Sequence, residues 1–290
     1  MPEGLEARLE REVAAGEWEP VESGGSLRPG DRMCLRIAND ADGAYDITVL
    51  VLQADFKIQQ FDLEKESHRF EVGEFTFDAL EAGPTDGELV MLLHGFPQTG
   101  DQWRHQIDAL SEAGYRVVAP NQRGYSPGAR PDAVEDYSRD RLAEDVIGMA
   151  DALGHERFHL VGHDWGGAIT WEVAARYPGR LGSATIVSTP HPAALLAALT
   201  DPESDQQVRS SYIQTFAEEG SENQFLEDDA ALLRSFYEEA GLSDEEMEPQ
   251  LAVLNDPDAM RSALHWYRAA VQGGATVTGP STVPTMYVWS

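Results

Sequence analysis

The run Leu160-Val161-Gly162-His163-Asp164-Trp165-Gly166-Gly167 carries the decisive signal. A buried strand enters a small-x-Asp-x-small turn, and a helix bearing apolar Ile169 and Val173 follows. So tight a turn holds its central residue in a strained backbone conformation, and a Cβ on either flank would clash across the bend. The centre is Asp164, a carboxylate at a helix N-terminus, where free N–H groups and the helix dipole favour the ionised form. Such a carboxylate suits attack on a saturated electrophilic carbon to give a covalent ester. It suits ester or amide substrates poorly, because it would be the better leaving group. The plainer reading is that Gly162, Gly166 and Gly167 only let strand and helix pack closely.

Upstream, His94-Gly95-Phe96-Pro97 follows the apolar run Leu89–Leu93 directly. Gly95 permits close backbone approach and Pro97 fixes the bend, so the N–H of Phe96 can join that of Trp165 in an oxyanion hole. Comparable short runs recur at Val117–Ala119, Phe158–Val161, Ala184–Val187 and Met286–Trp289, of the kind buried in a parallel sheet. Helical stripes separate them. Trp103, Ile107 and Leu110 form one after an expected N-cap at Asp101, and Leu142, Val146, Met149 and Leu153 form another, closed by Gly154. Strand and helix in alternation predict an α/β fold with a largely parallel sheet. Residues 191–267 break the rhythm and read as helices, with 15 acids against 2 arginines between Asp201 and Gln250. An inserted helical lid over the carboxyl edge of the sheet accounts for them more simply than a solvated helical tail.

The first 66 residues differ in composition. Lysine occurs only at Lys57 and Lys65, and the net charge is −8 up to Glu66 and −22 beyond it. This break divides the chain into a β-rich segment at 1–66, a core at 67–190, a lid at 191–268 and a return to the core at 269–290. Within the first segment, Leu5, Leu9 and Val13 sit four apart, the stripe of a short amphipathic helix. Turns are expected at Arg28–Asp31 and Asn39–Gly43, with antiparallel strands at Met33–Ile37 and Ile47–Leu52. The stretch from Leu27 to Gln59 weakly resembles a β-rich accessory module of caspase-like proteins.

Phe70 to Ser290 resembles the α/β-hydrolase fold, and within it the epoxide hydrolase branch. The likeness rests on His94–Pro97, Arg123-Gly124-Tyr125-Ser126, Gly162–Gly167 and Pro190-His191-Pro192. In the lid, Tyr212 (in Ser211-Tyr212-Ile213-Gln214-Thr215-Phe216) and Tyr267 (in His265-Trp266-Tyr267-Arg268) match the places of that family's two lid tyrosines. The resemblance implies that these phenols hydrogen-bond the epoxide oxygen as it leaves, and ring opening does need an acid there. It makes Asp164, Tyr212 and Tyr267 catalytic and places Phe96 and Trp165 in the oxyanion hole. His94, Pro97 and Trp266 then line a pocket for a small apolar substrate such as an epoxide, with no cofactor and no metal. It further calls for an acid after the strand Thr285–Trp289 and a histidine after the next. The sequence ends at Ser290 and its last histidine is His265. On this reading the fold is C-terminally incomplete, its last strand is an exposed edge, and ester hydrolysis stalls for want of a base. His94 and His163 are expected to fix turns, and His159 to be a satisfied core residue. His68, His105 and His155 lack a carboxylate at a suggestive spacing.

Two alternatives stay open. A haloalkane dehalogenase-like hydrolase also uses an Asp with Trp165 beside it, though Phe96 offers no side-chain N–H for a halide. A non-catalytic ligand-binding module would keep the pocket without turnover. Composition narrows the rest. The net charge of −30 disfavours nucleic acid and anionic membranes as partners, and lone Cys34 excludes an internal disulfide or a cysteine metal cage. With no apolar run near ~18 residues and no signal-peptide pattern, the expected location is cytoplasmic.

Overall fold

The computed structural model describes residues 5–14, 17–20, 32–39, 47–53, 66–273 and 279–289. The chain forms two compact units, Met1–Asp62 and Leu63–Ser290.

In the first unit, β1 (Leu5–Ala14), β2 (Glu17–Pro20), β3 (Arg32–Asn39) and β4 (Ile47–Gln53) make an antiparallel sheet in the order β2-β1-β3-β4. The helix expected at Leu5, Leu9 and Val13 is therefore a strand. A spacing of four is even, so it keeps residues on one face of a strand as well as of a helix. Pairing to strands on both sides then decides the conformation, β1 to β3 running from Leu5 opposite Asn39 to Arg11 opposite Met33. The turns expected at 28–31 and 40–43 lie outside the described residues.

The second unit is built on a seven-stranded sheet. Its strands are β5 (Glu66–Val72), β6 (Phe75–Ala82), β7 (Leu89–Leu93), β8 (Arg116–Pro120), β9 (Phe158–His163), β10 (Leu181–Val187) and β11 (Thr285–Val288), in the order β11-β10-β9-β7-β8-β6-β5. From β11 to β8 all neighbours are parallel, while β6 pairs antiparallel with β8 and with β5. Helices α1 (Arg104–Glu112), α2 (Arg139–Ala152) and α3 (Trp165–Arg176) connect these strands. The 3₁₀ turn Gly100–Trp103 that leads into α1 is capped by Thr99, not Asp101. The Thr99 hydroxyl accepts the Asp101 N–H at 3.3 Å, and the Asp101 carboxylate pairs instead with Arg104.

Central β7 is buried throughout, as its unbroken apolar run requires. Strand β9 alternates: Phe158 and Leu160 face the core formed with α2 and α3, while His159 and Val161 stay partly exposed. Strand β11 is exposed along its length, with Met286 58% and Tyr287 44% exposed. It is the edge of the described sheet and pairs only with β10.

Between β10 and β11 lie α4 (Pro192–Thr200), α5 (Gln206–Arg209), α6 (Tyr212–Ala217), α7 (Glu222–Glu239), α8 (Asp244–Leu254) and α9 (Pro257–Gly273). Their buried residues, Phe225, Leu233, Leu254 and Leu264 among them, join the main core cluster, so they are not a solvated tail. Polar clasps hold the layer down. Gln250 accepts from both the N–H (2.6 Å) and the hydroxyl (2.8 Å) of Thr99. The Tyr237 hydroxyl donates to the Pro97 carbonyl, and the Trp266 indole donates to the Arg123 carbonyl at 2.9 Å.

Candidate active site

Asp164 stands between β9 and α3 with φ 52° and ψ −120°, a conformation that costs an L-residue energy unless its surroundings impose it. The surroundings here are backbone. A Cβ on Gly162 would lie 2.1 Å from the Gly166 carbonyl oxygen, and one on Gly166 would lie 2.3 Å from that of Leu93. Only hydrogen fits at either flank. The Asp164 carbonyl begins the helix by accepting the Ala168 N–H and also takes the Thr189 hydroxyl at 2.7 Å.

The carboxyl group meets the 94–97 loop. The Phe96 N–H donates to Asp164 Oδ1 at 3.0 Å, and the Trp165 N–H also bonds the carboxyl group. The two N–H groups expected to form an oxyanion hole thus both hold Asp164. Gly95 makes the approach possible, since a Cβ there would sit 2.5 Å from Asp164 Oδ1. Burial pushes the Asp164 carboxyl above the usual carboxylate range, and the Trp165 N–H, His163 and the Phe96 N–H work against that rise.

His94 is fully buried. Its Nδ1 lies 3.1 Å from the Gly95 carbonyl, its Nε2 accepts the Gln122 N–H at 3.1 Å, and the Gln122 side chain returns a bond to the His94 carbonyl. Burial holds His94 at about 4, so its ring is neutral and serves as a brace. Trp266 is 2% exposed with its N–H on the Arg123 carbonyl, and its ring meets Trp165 edge to face with centres 5.7 Å apart. His94 and Trp266, expected along the pocket, are therefore one layer behind it. Pro97 follows a cis peptide bond and carries the carbonyl that Tyr237 grips.

Above Asp164 the lid presents aromatic rings. Phe96, Phe216 and Tyr267 form a triangle with ring centres 5.3–5.7 Å apart, Phe225 closes it from the side, and Trp165 meets Tyr267 at 5.1 Å. Tyr212, on α6, stands 6.4 Å from Tyr267 and remains 45% exposed. Burial raises both phenols above their ordinary 10, and the negative charge of Asp164 raises them further. Both hydroxyls keep their protons at neutral pH.

The structure thus brings Asp164, Phe96, Trp165, Tyr212 and Tyr267 to one place. It adds residues that were not singled out: Gln102, Phe216, Phe225, and Tyr125, whose buried phenol also feels the charge of Asp164. Gln102 and His163 are 61 residues apart, and no local pattern joins them. The remaining histidines are engaged elsewhere. His159 bonds Ser183 and Glu88 from a partly exposed site, so it is satisfied without being core, and His68 and His105 meet Glu81 and Glu246. A separate open depression of about 760 Å³, lined by Trp171, His191, Pro280 and Val283, shares none of the site's residues. Among the described residues no cluster of three or more His, Cys, Asp or Glu is placed to hold a metal ion. No helix among them is long and apolar enough to cross a membrane.

The α/β-hydrolase fold family model matches residues 88–288, which hold both the strand–turn–helix at Asp164 and the lid. The chain belongs to that family. It is 35% identical over 229 residues to the AB hydrolase superfamily protein YfhM of Bacillus subtilis, covering 74% of this chain and 77% of YfhM. It is 44% identical over 111 residues to Epoxide hydrolase A of Mycobacterium tuberculosis, covering 38% of this chain and 34% of that enzyme. The α/β-hydrolase also superposes on a mutant epoxide hydrolase from Bacillus megaterium complexed with its diol product. That match has a TM-score of 0.67 and 28% identity, and covers 77% of this chain and 82% of the other. These likenesses make the chain an epoxide hydrolase-like member of the superfamily and support hydrolase chemistry.

Proposed function

We propose that this α/β-hydrolase opens epoxides by attack of Asp164. The observation that carries the reading is a carboxylate steadied on Oδ1 by the Phe96 N–H while two protonated lid phenols stand in its field. The other carboxylate oxygen attacks a ring carbon, and a carbon–oxygen bond to Asp164 forms as the ring carbon–oxygen bond breaks. The electron pair of the broken bond moves to the epoxide oxygen, where the hydroxyls of Tyr212 and Tyr267 donate hydrogen bonds; one of them gives up its proton to form the alcohol, and solvent water restores it to the resulting phenolate. The product is a hydroxyalkyl ester of Asp164. Hydrolysis of such an ester would put its oxyanion on the Asp164 oxygen that the Phe96 and Trp165 N–H groups bond, so these two serve as the oxyanion hole in this reading.

The aromatic lining favours a neutral, apolar epoxide. Support also comes from the relatives, which include epoxide hydrolases, one of them bound to a diol. Incubation with styrene oxide, followed by intact-mass and peptide mass spectrometry, tests the proposal. It requires either diol in solution or one added substrate mass on the Asp164 peptide, and loss of both in Asp164→Asn. Neither product nor adduct from the parent chain would refute it. Halide release from a bromoalkane without epoxide opening would point to dehalogenase chemistry instead.

A further inference from the structure

We infer that Gln102 is a positioning residue whose side-chain amide sets the register between the 94–97 loop and the turn that carries Asp164. The inference rests on the reading of Asp164 as the nucleophile. The Gly95 N–H donates to Gln102 Oε1 at 3.3 Å, and Gln102 Nε2 lies 2.8 Å from His163 Nδ1. A backbone N–H only donates, so the amide oxygen must face Gly95 and the NH₂ must face His163. His163 Nδ1 is then the acceptor, and the ring proton sits on Nε2.

One side chain therefore links the residue before Phe96 to the residue before Asp164. Their successors make the 3.0 Å bond from the Phe96 N–H to Asp164 Oδ1. The loop already approaches so closely that a Cβ on Gly95 would lie 2.4 Å from Asp164 Cβ, so a small slip of the loop would move the seat of the carboxylate. Gln102 is itself held, its N–H on the Thr99 carbonyl at 3.0 Å, and Thr99 is the residue gripped by Gln250 of the lid. The titratable groups whose charge reaches His163 are Asp164 and His94.

Two variants of the full chain test this, with the rate of styrene oxide addition to Asp164 as the signal. Gln102→Leu removes both bonds at similar volume. Its maximal alkylation rate should fall about 10- to 100-fold, the scale for a misplaced donor, with little change in half-saturating concentration or melting temperature. Gln102→Glu keeps the Gly95 bond and also accepts a proton-bearing His163 Nδ1, so it stabilises an imidazolium beside the nucleophile. Its rate should show an added acid limb, recovering towards the parent value as His163 loses its proton. Parent-like rates and pH profiles in both variants would overturn the role of Gln102 while leaving Asp164 as the nucleophile. So would a rate loss explained wholly by a lowered melting temperature. A parent chain that forms neither adduct nor diol would remove the underlying reading as well. Should Gln102→Leu fail to fold, the pH profile of Gln102→Glu decides alone.

Discussion

Asp164 sits between a floor of backbone and a ceiling of rings. Below it, the 94–97 loop and the 162–167 turn approach so closely that glycine hydrogens occupy the gaps and N–H groups hold the carboxyl. Above it, Phe216, Phe225, Tyr212 and Tyr267 meet edge to face through side chains alone, on helices clasped to the core at a few polar points. The floor has little room for a change of shape, because Gly162 and Gly166 face backbone carbonyl oxygens and Gly95 faces the Asp164 side chain itself. The ceiling can change chemistry without changing the fold. On the proposed function, geometry is concentrated below the reacting carboxylate and chemical selectivity above it.

Four substitutions sharpen that contrast. The largest effect is expected from Gly166→Val on the floor. Its Cβ would press on the Leu93 and His94 carbonyl oxygens, so a loss of about 3–5 kcal/mol or outright failure to fold should appear in chemical denaturation. If this variant folds at parental stability, the floor is not the rigid half.

The next effect is on pH dependence. His94 is held at about 4 by burial against an ordinary 6.5, so the unfolded chain takes up the proton first. Stability from this group is complete above about pH 6.5 and falls by up to about 3 kcal/mol as pH drops towards 4. Melting temperatures across that window should fall less steeply in His94→Gln than in the parent.

The smallest effect on the fold belongs to the ceiling. Tyr212→Phe and Tyr267→Phe keep the ring contacts and remove only hydroxyls. Each should slow epoxide opening roughly 10- to 100-fold while shifting the melting temperature by no more than a degree or two. Equal losses of stability in the tyrosine and glycine variants would erase the distinction.

Much of the floor was legible in the chain. A glycine-flanked aspartate between an apolar run and an amphipathic helix has few three-dimensional solutions, and His94–Pro97 occupies the matching position after β7. Legibility failed where a local pattern served two structures or where partners were remote. Leu5, Leu9 and Val13 fit one face of a helix and one face of a strand equally, and pairing with β3 decided between them. Asp101 looked like a cap, but Thr99 stood two residues earlier with its hydroxyl aimed at the free N–H. His94 and Trp266 carried the right chemistry for a pocket wall, yet the packing layers put them behind it.

The amino-acid order alone determined the alternation of strand and helix, the strained turn and the identity of the residue at its crest, because those depend on neighbours within a few positions. Only the tertiary structure decided what faces that residue. The Phe96 N–H arrives from 68 residues away, the Gln102 amide bridges 61, and the Thr99–Gln250 clasp spans 151. Such contacts depend on how the sheet and lid close on one another, which no spacing along the chain encodes.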